Sequence, residues 1–325
     1  MNRSILPYFW ITWYIVMVSV FTGCLSNKNT LSYLLNCEKA EMAIIKSDYR
    51  KALKLYKKAF KSNHPGFSDD YYNALKVADL LKENDFAFYN AKKLAKRGLC
   101  NEFFQNYEML KSDKDQWDEL LGLEFRTKND FRLELESMTN DDQVARYDRS
   151  DSQNINKVDS INFFKFKMLI ERYGFPSEES LGIECTDNTR GFHPPPYNIL
   201  LLHFAQHRYE GVKQILDDAL EKNKISPYRY IDLMQYLGLP VKYNSAPVVK
   251  MGQDYFTYKK SDLDISKINS NRERVGAGSL ENHLEKIKFR IKNGRNEFRM
   301  NTGIDFVPQQ TKSVIDSFFV KLDLE

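Results

Sequence analysis

His207, preceded by Gln206, is the pair of side chains in this chain best suited to chemistry. An imidazole can move a proton near neutral pH, and a neighbouring amide can orient a carbonyl or a water. Asp142 and Arg146 stand one helical turn apart, so they share a face. Asp142, Arg146, Asp159, Asn162, Gln206 and His207 could converge on one cleft. The same set suits a second role, a buried hydrogen-bonded network joining three helices, because a small helical domain must satisfy the polar groups it buries. An open cleft would point to hydrolase-like or ligand-binding chemistry, and mutual bonding to a structural role.

His203 and His207 lie four positions apart, a metal-ligand spacing, with His193 or Glu210 as a third ligand. The residue after His203 is Phe204, where a helical zinc protease needs Glu, so that enzyme class is excluded. No nucleophile elbow, phosphate-binding loop or dinucleotide fingerprint is present. Gly276-Ala277-Gly278 reads as a loop between helices. No cofactor is expected.

Helices must position these groups. Apolar spacing predicts helices from Phe131 to Arg149, Val158 to Tyr173, Tyr197 to Arg208, Gly211 to Lys222 and Ser226 to about Leu237. Upstream, Asp48 to Phe60 places Tyr49, Ala52, Leu53, Tyr56, Ala59 and Phe60 on one stripe and ends at Asn63-His64-Pro65-Gly66. Glu38 to Lys46, Tyr71 to Lys82 and Phe86 to Ala95 continue the helical pattern, with a turn at Glu83-Asn84-Asp85. Asn101 to Phe125 is expected to add a further helix pair, and Thr311 to Leu322 a last helix.

The first residues carry a different signal. Ile5 to Val20 is apolar and uncharged after Arg3, and Phe21-Thr22-Gly23-Cys24 follows. Small residues before a Cys suit cleavage and lipidation at Cys24, and the competing expectations are an uncleaved anchor or plain secretion. Cys37, Cys100 and Cys185 then remain, with no paired-cysteine motif, and all three are expected to be unpaired. The net charge of +4 is small and dispersed, which argues against nucleic-acid binding.

Three resemblances follow. Residues 1–24 resemble a bacterial lipoprotein signal, with Phe21 where Leu is usual. Residues 32–126 resemble tetratricopeptide repeats, in which an aromatic residue opens the second helix and small alanines allow close packing. Asp142-Gln143-Val144-Ala145-Arg146, Asp159, Asn162, Gly174-Phe175-Pro176, Gln206-His207 and Ile268-Asn269 to Leu280-Glu281 resemble an uncharacterised bacterial family of mostly helical envelope and secreted proteins. Phe175 replaces its usual Trp, and its Asp-Arg and Y-G-T-Q elements are not cleanly kept. Together they imply a mainly α chain of five parts. These are a signal at 1–24, a tether at 25–31, repeat-like hairpins at 32–126, a helical domain at 127–290 and a tail at 291–325. The expected role is a bacterial envelope lipoprotein, held to the bilayer at Cys24 and binding an envelope protein or peptide. The alternative is a hydrolase-like or small-ligand domain.

Overall fold

The computed structural model describes residues 29–325 apart from 124, 126–128, 148–150, 187–190, 194–196, 245–246, 260–262, 295–296, 301–304, 307–318 and 325. Cys24, the apolar segment before it and most of the tether lie outside these residues. The fold is mainly helical. No helix among the described residues is long and apolar enough to cross a membrane.

The N-terminal layer is built from α1 (29–45), α2 (Tyr49–Ala59), α3 (Ser68–Leu81) and α4 (Asn84–Ala95). The Asp48 carboxylate caps α2 by accepting the Lys51 N–H at 3.1 Å. Lys82 ends α3 in the left-handed region (φ 58°). Ala52, Ala59, Ala74, Ala78, Ala87 and Ala91 are buried, which lets α3 lie close between α2 and α4. The core around them is aromatic, with Tyr33, Tyr56, Tyr72, Phe88, Phe103 and Phe104 almost fully enclosed. α4 starts at Asn84, so two residues of the expected turn belong to the helix.

The expected helix pair after Asn101 is replaced by shorter pieces: α5 (Asn101–Phe104), a 3₁₀ turn (Glu108–Ser112) and α6 (Lys114–Leu121). Phe103, Tyr107 and Leu110 pack inward, and Asp113 restarts the chain by capping α6.

The second layer holds α7 (Asn129–Ala145), α8 (Ser152–Tyr173), α9 (Glu178–Leu181), α10 (Asn198–Gln206), α11 (Val212–Glu221) and α12 (Pro227–Tyr236). α7 and α8 pack on each other and both pack on α10. Phe131, Leu135, Phe166, Leu200, Phe204 and Leu233 lead this second core. A short α13 (Pro240–Tyr243) leads to a sheet, and α14 (Ile265–Arg274) and α15 (Leu280–Asn293) flank the Gly276-Ala277-Gly278 loop.

The strands are a structural addition to the expected helices. β1 (Glu184–Cys185) pairs antiparallel with β2 (Phe192–His193). β3 (Val248–Met251) and β4 (Asp254–Tyr258) form a hairpin, and β5 (Asp305–Phe306) and β6 (Phe319–Lys321) extend it in the order β5-β3-β4-β6. The last expected helix is therefore corrected over Phe319–Lys321, while residues 311–318 lie outside the described residues. Pairing wins there because β4 offers a free edge and Tyr258 packs on the Phe319 ring, 4.3 Å between centroids.

The expectation of three unpaired cysteines is also corrected. Cys100 and Cys185 form a disulfide across 85 residues, and Cys37 is free and buried. The Ile183 N–H donates to the Arg97 carbonyl at 2.7 Å, which brings the two segments together beside the bridge. Such a pairing depends on tertiary contact, so spacing does not reveal it. Further contacts cross the boundary expected near residue 126. Ser68 N–H donates to Glu178 at 2.8 Å, and Asn73 pairs with the Arg299 backbone. Phe298 and Met300 enter the N-terminal core.

Candidate functional site

Five of the expected polar side chains and one further histidine meet where α7, α8 and α10 cross. Asp142 is buried on the inner stripe of α7, and Arg146 follows one turn later. Arg146 Nη1 donates to Asp142 Oδ1 at 2.7 Å. Its Nη2 donates to both Asp159 oxygens, at 2.9 and 2.7 Å. The guanidinium thereby bridges the two carboxylates through charge-assisted hydrogen bonds. His203 Nδ1 lies 2.7 Å from Asp142 Oδ1, and Gln143 Nε2 donates to Asp142 Oδ2 at 2.6 Å. His207 Nε2 lies 2.8 Å from Asp159 Oδ2. Asn162 donates to the Met138 carbonyl at 3.1 Å and ties α8 to α7.

Asp142 and Asp159 have no exposed side-chain surface, whereas His207 keeps 34% and forms the open edge of the group. Burial by itself raises the Asp142 pKa. The hydrogen bond and charge of His203, with Gln143 and Arg146, outweigh it and hold the carboxyl below its usual range.

Gln206 is exposed and makes none of these hydrogen bonds. It precedes His207 by one residue, roughly 100° around the helix, so the two cannot face one site. His203 and His207 share a face, and His203 takes the place that sequence reading gave to Gln206. The spacing of four was the signal.

Asp142, Asp159 and His203 offer ligand atoms within 4.8 Å of one another, a grouping that could hold a cation. Arg146 is bonded to both carboxylates, so a guanidinium already fills the cationic position. Neither His193 nor Glu210 belongs to this grouping, and both are exposed. The donor set therefore fits a self-neutralised network better than a metal centre.

A second polar cluster joins the two layers, and sequence reading missed it. Glu38 and Glu41 project from α1, and both meet the ammonium of Lys286 on α15. Tyr228 of α12 donates to Glu38 Oε2 at 2.8 Å and accepts from Lys286 at 3.0 Å. Lys286 has no exposed surface. Burial would lower its pKa, but the two carboxylates outweigh burial and raise it well above the usual value. Burial pushes Glu41 up to about 8, against the pull of Lys286. Beside it, Tyr33 donates to Asp70 at 2.5 Å, and burial pushes that carboxyl up to about 7.

Gly278 lies against the Glu38 carboxylate, and a Cβ there would collide with it. Arg272, fully buried, holds this loop by donating to the Gly278 carbonyl at 2.7 Å. The missed signal was a charged residue on an apolar stripe: Glu41 stands between Cys37 and Ile44, and Lys286 between His283 and Ile287.

Three clefts open elsewhere. One of about 740 Å³ lies between α1 and α11, one of about 450 Å³ lies beside β4 and α15, and a shallow groove of about 810 Å³ runs along α2 and α4. Neither polar cluster lines any of them. The α2–α4 groove is floored by Phe60, Phe86 and Tyr89, with Phe86 and Tyr89 stacked at 6.0 Å and 4°. Lys57, Lys61 and Lys82 stand around it together with Glu83 and Asp85, and Lys57 pairs with Glu83 at 2.8 Å.

No family model, curated protein or solved structure matches this chain.

Proposed function

We propose that this protein is a bacterial envelope lipoprotein that acts as an interaction module, anchored by lipid at Cys24, with tetratricopeptide-like helices α1 to α6 presenting a peptide site. The observation that carries the reading is the aromatic groove between α2 and α4. Phe60, Phe86 and Tyr89 offer a ring-lined floor within a rim of three lysines and two carboxylates. That chemistry suits an extended peptide carrying an apolar or aromatic side chain, with a mixed-charge rim for its flanking polar groups. The Cys100–Cys185 bridge supports export, since such bonds persist in oxidising compartments. The closed Asp142–Arg146–Asp159 network supports a structural role for the residues most suited to catalysis.

The test joins fatty-acid labelling to site-specific crosslinking in cells. Cys24→Ser should abolish labelling and release the protein from the membrane pellet. A photo-crosslinker at Lys61 should trap an envelope partner, and Phe86→Ala with Tyr89→Ala should reduce the trapped product at least roughly tenfold. Persisting label in Cys24→Ser, or trapping indifferent to the aromatic substitutions, would overturn the corresponding half.

A second reading, a small-ligand or hydrolase-like site, draws on one observation: His207 is half-open and oriented by a buried carboxylate. Under that reading His207→Ala abolishes ligand binding and leaves peptide trapping unchanged.

A further inference from the structure

The α7–α8 hairpin turns six large apolar side chains to solvent, with the polar Ser137 and Asn140 among them on α7. Leu133, Val144 and Tyr147 at α7, and Ile161, Phe164 and Met168 on α8, are 45% to 95% exposed. Both helices bury their other face on α10. Asp142 reaches His203, and Phe163 and Phe166 pack on Phe204. Their outer faces therefore point to the same side of a two-helix layer. At on the order of 100 Å² per fully exposed side chain, six such residues approach the upper end of the apolar patches that monomers carry, a size often tied to function.

Charge selects the partner. The exposed side of α7 carries Asp130, Glu134 and Asp141. The exposed side of α8 carries Lys157, Lys167 and Arg172 against the single carboxylate of Glu171. A two-fold axis parallel to the hairpin sets α7 of each copy across from α8 of the other, in antiparallel orientation. Acidic then faces basic twice, around Ile161, Phe164 and Met168 of α8, with Ser137 and Asn140 of α7 across from them. An anionic lipid surface would attract α8 but repel α7. We infer that this face binds a second copy of the chain, making an isologous four-helix interface.

Sedimentation of the detergent-solubilised full chain tests this with two charge-reversed variants. Glu134→Lys with Asp141→Lys makes both helices basic, and Lys157→Glu with Lys167→Glu makes both acidic. The wild type should be a dimer. Each variant alone should dissociate roughly 100-fold more readily, and an equimolar mixture should form heterodimers. Phe164→Asp, a single exposed position, should also give monomers. A monomeric wild type, a homodimer that persists in either variant, or a mixture that stays monomeric would overturn the proposal. So would a monomer whose retention on phosphatidylglycerol vesicles, above that given by the anchor, is lost in Phe164→Asp, which would identify lipid as the occupant.

Discussion

Arg146 and Lys286 illustrate two ways a chain can bury carboxylates. Arg146 forks between Asp142 and Asp159 and leaves its own side chain partly open. Lys286 is sealed between Glu38 and Glu41, with Tyr228 sharing the contact. Replacing one partner of such a group leaves an uncompensated buried charge, which is why these residues constrain each other. The second cluster makes stability depend on pH. Glu41 moves from 4.5 to about 8 on folding, and Asp70 from 3.8 to about 7. Both bind their proton more tightly when folded. Their contribution is complete below the unfolded values and is lost as pH rises through the folded ones. His64 has the opposite sign: burial lowers it from 6.5 to about 4, so its contribution is lost as pH falls through that window. The two carboxyls outnumber it, so the urea midpoint should fall as pH rises from about 5 to about 8. Glu41→Gln should flatten that slope, and an unchanged slope would remove Glu41 as its source.

At the scale of elements, most helices were legible from apolar spacing and capping residues. Asp48, Ser226 and the Gly174 stop act where the pattern placed them. Asp48→Ala should cost about 1 kcal/mol, read from urea unfolding, because the Lys51 N–H loses its acceptor. A cost near zero would mean that packing alone holds the start of α2. The sheet was less legible. β5 and β6 are short and acquire partners only through the hairpin between them, and isolated strands of that length carry little periodic signal. The helical reading of Phe319 to Leu322 failed for the same reason. An apolar stripe there satisfies either period, and an open strand edge decided between them.

Across the whole molecule, the chain is fastened between its layers rather than at one linker. The Cys100–Cys185 bridge, the Glu38–Lys286 cluster and the insertion of Phe298 and Met300 each join segments far apart in sequence. The bridge closes a long loop, so its loss should be felt globally. Cys100→Ser with Cys185→Ser should lower stability by about 2–5 kcal/mol and shift the urea midpoint without changing the helical circular dichroism of the native state. An unchanged midpoint would mean that the backbone contact between Arg97 and Ile183 already holds this corner.

The sequence by itself determined the helical character of the fold, because amphipathic periodicity and capping are local properties. It also brought Asp142, Arg146, Asp159 and His207 into one set through turn-spaced positions on three predicted helices. Tertiary structure showed that His203 rather than Gln206 joins them, a choice that the four-residue spacing to His207 along α10 had already signalled. It decided that the two carboxylates are buried, that His207 forms the open edge of the set and that its cationic place belongs to Arg146. It decided that Cys100 meets Cys185 and that Lys286 meets Glu38 and Glu41. Those pairings arise from distances between segments scores or hundreds of residues apart, and no local pattern records them.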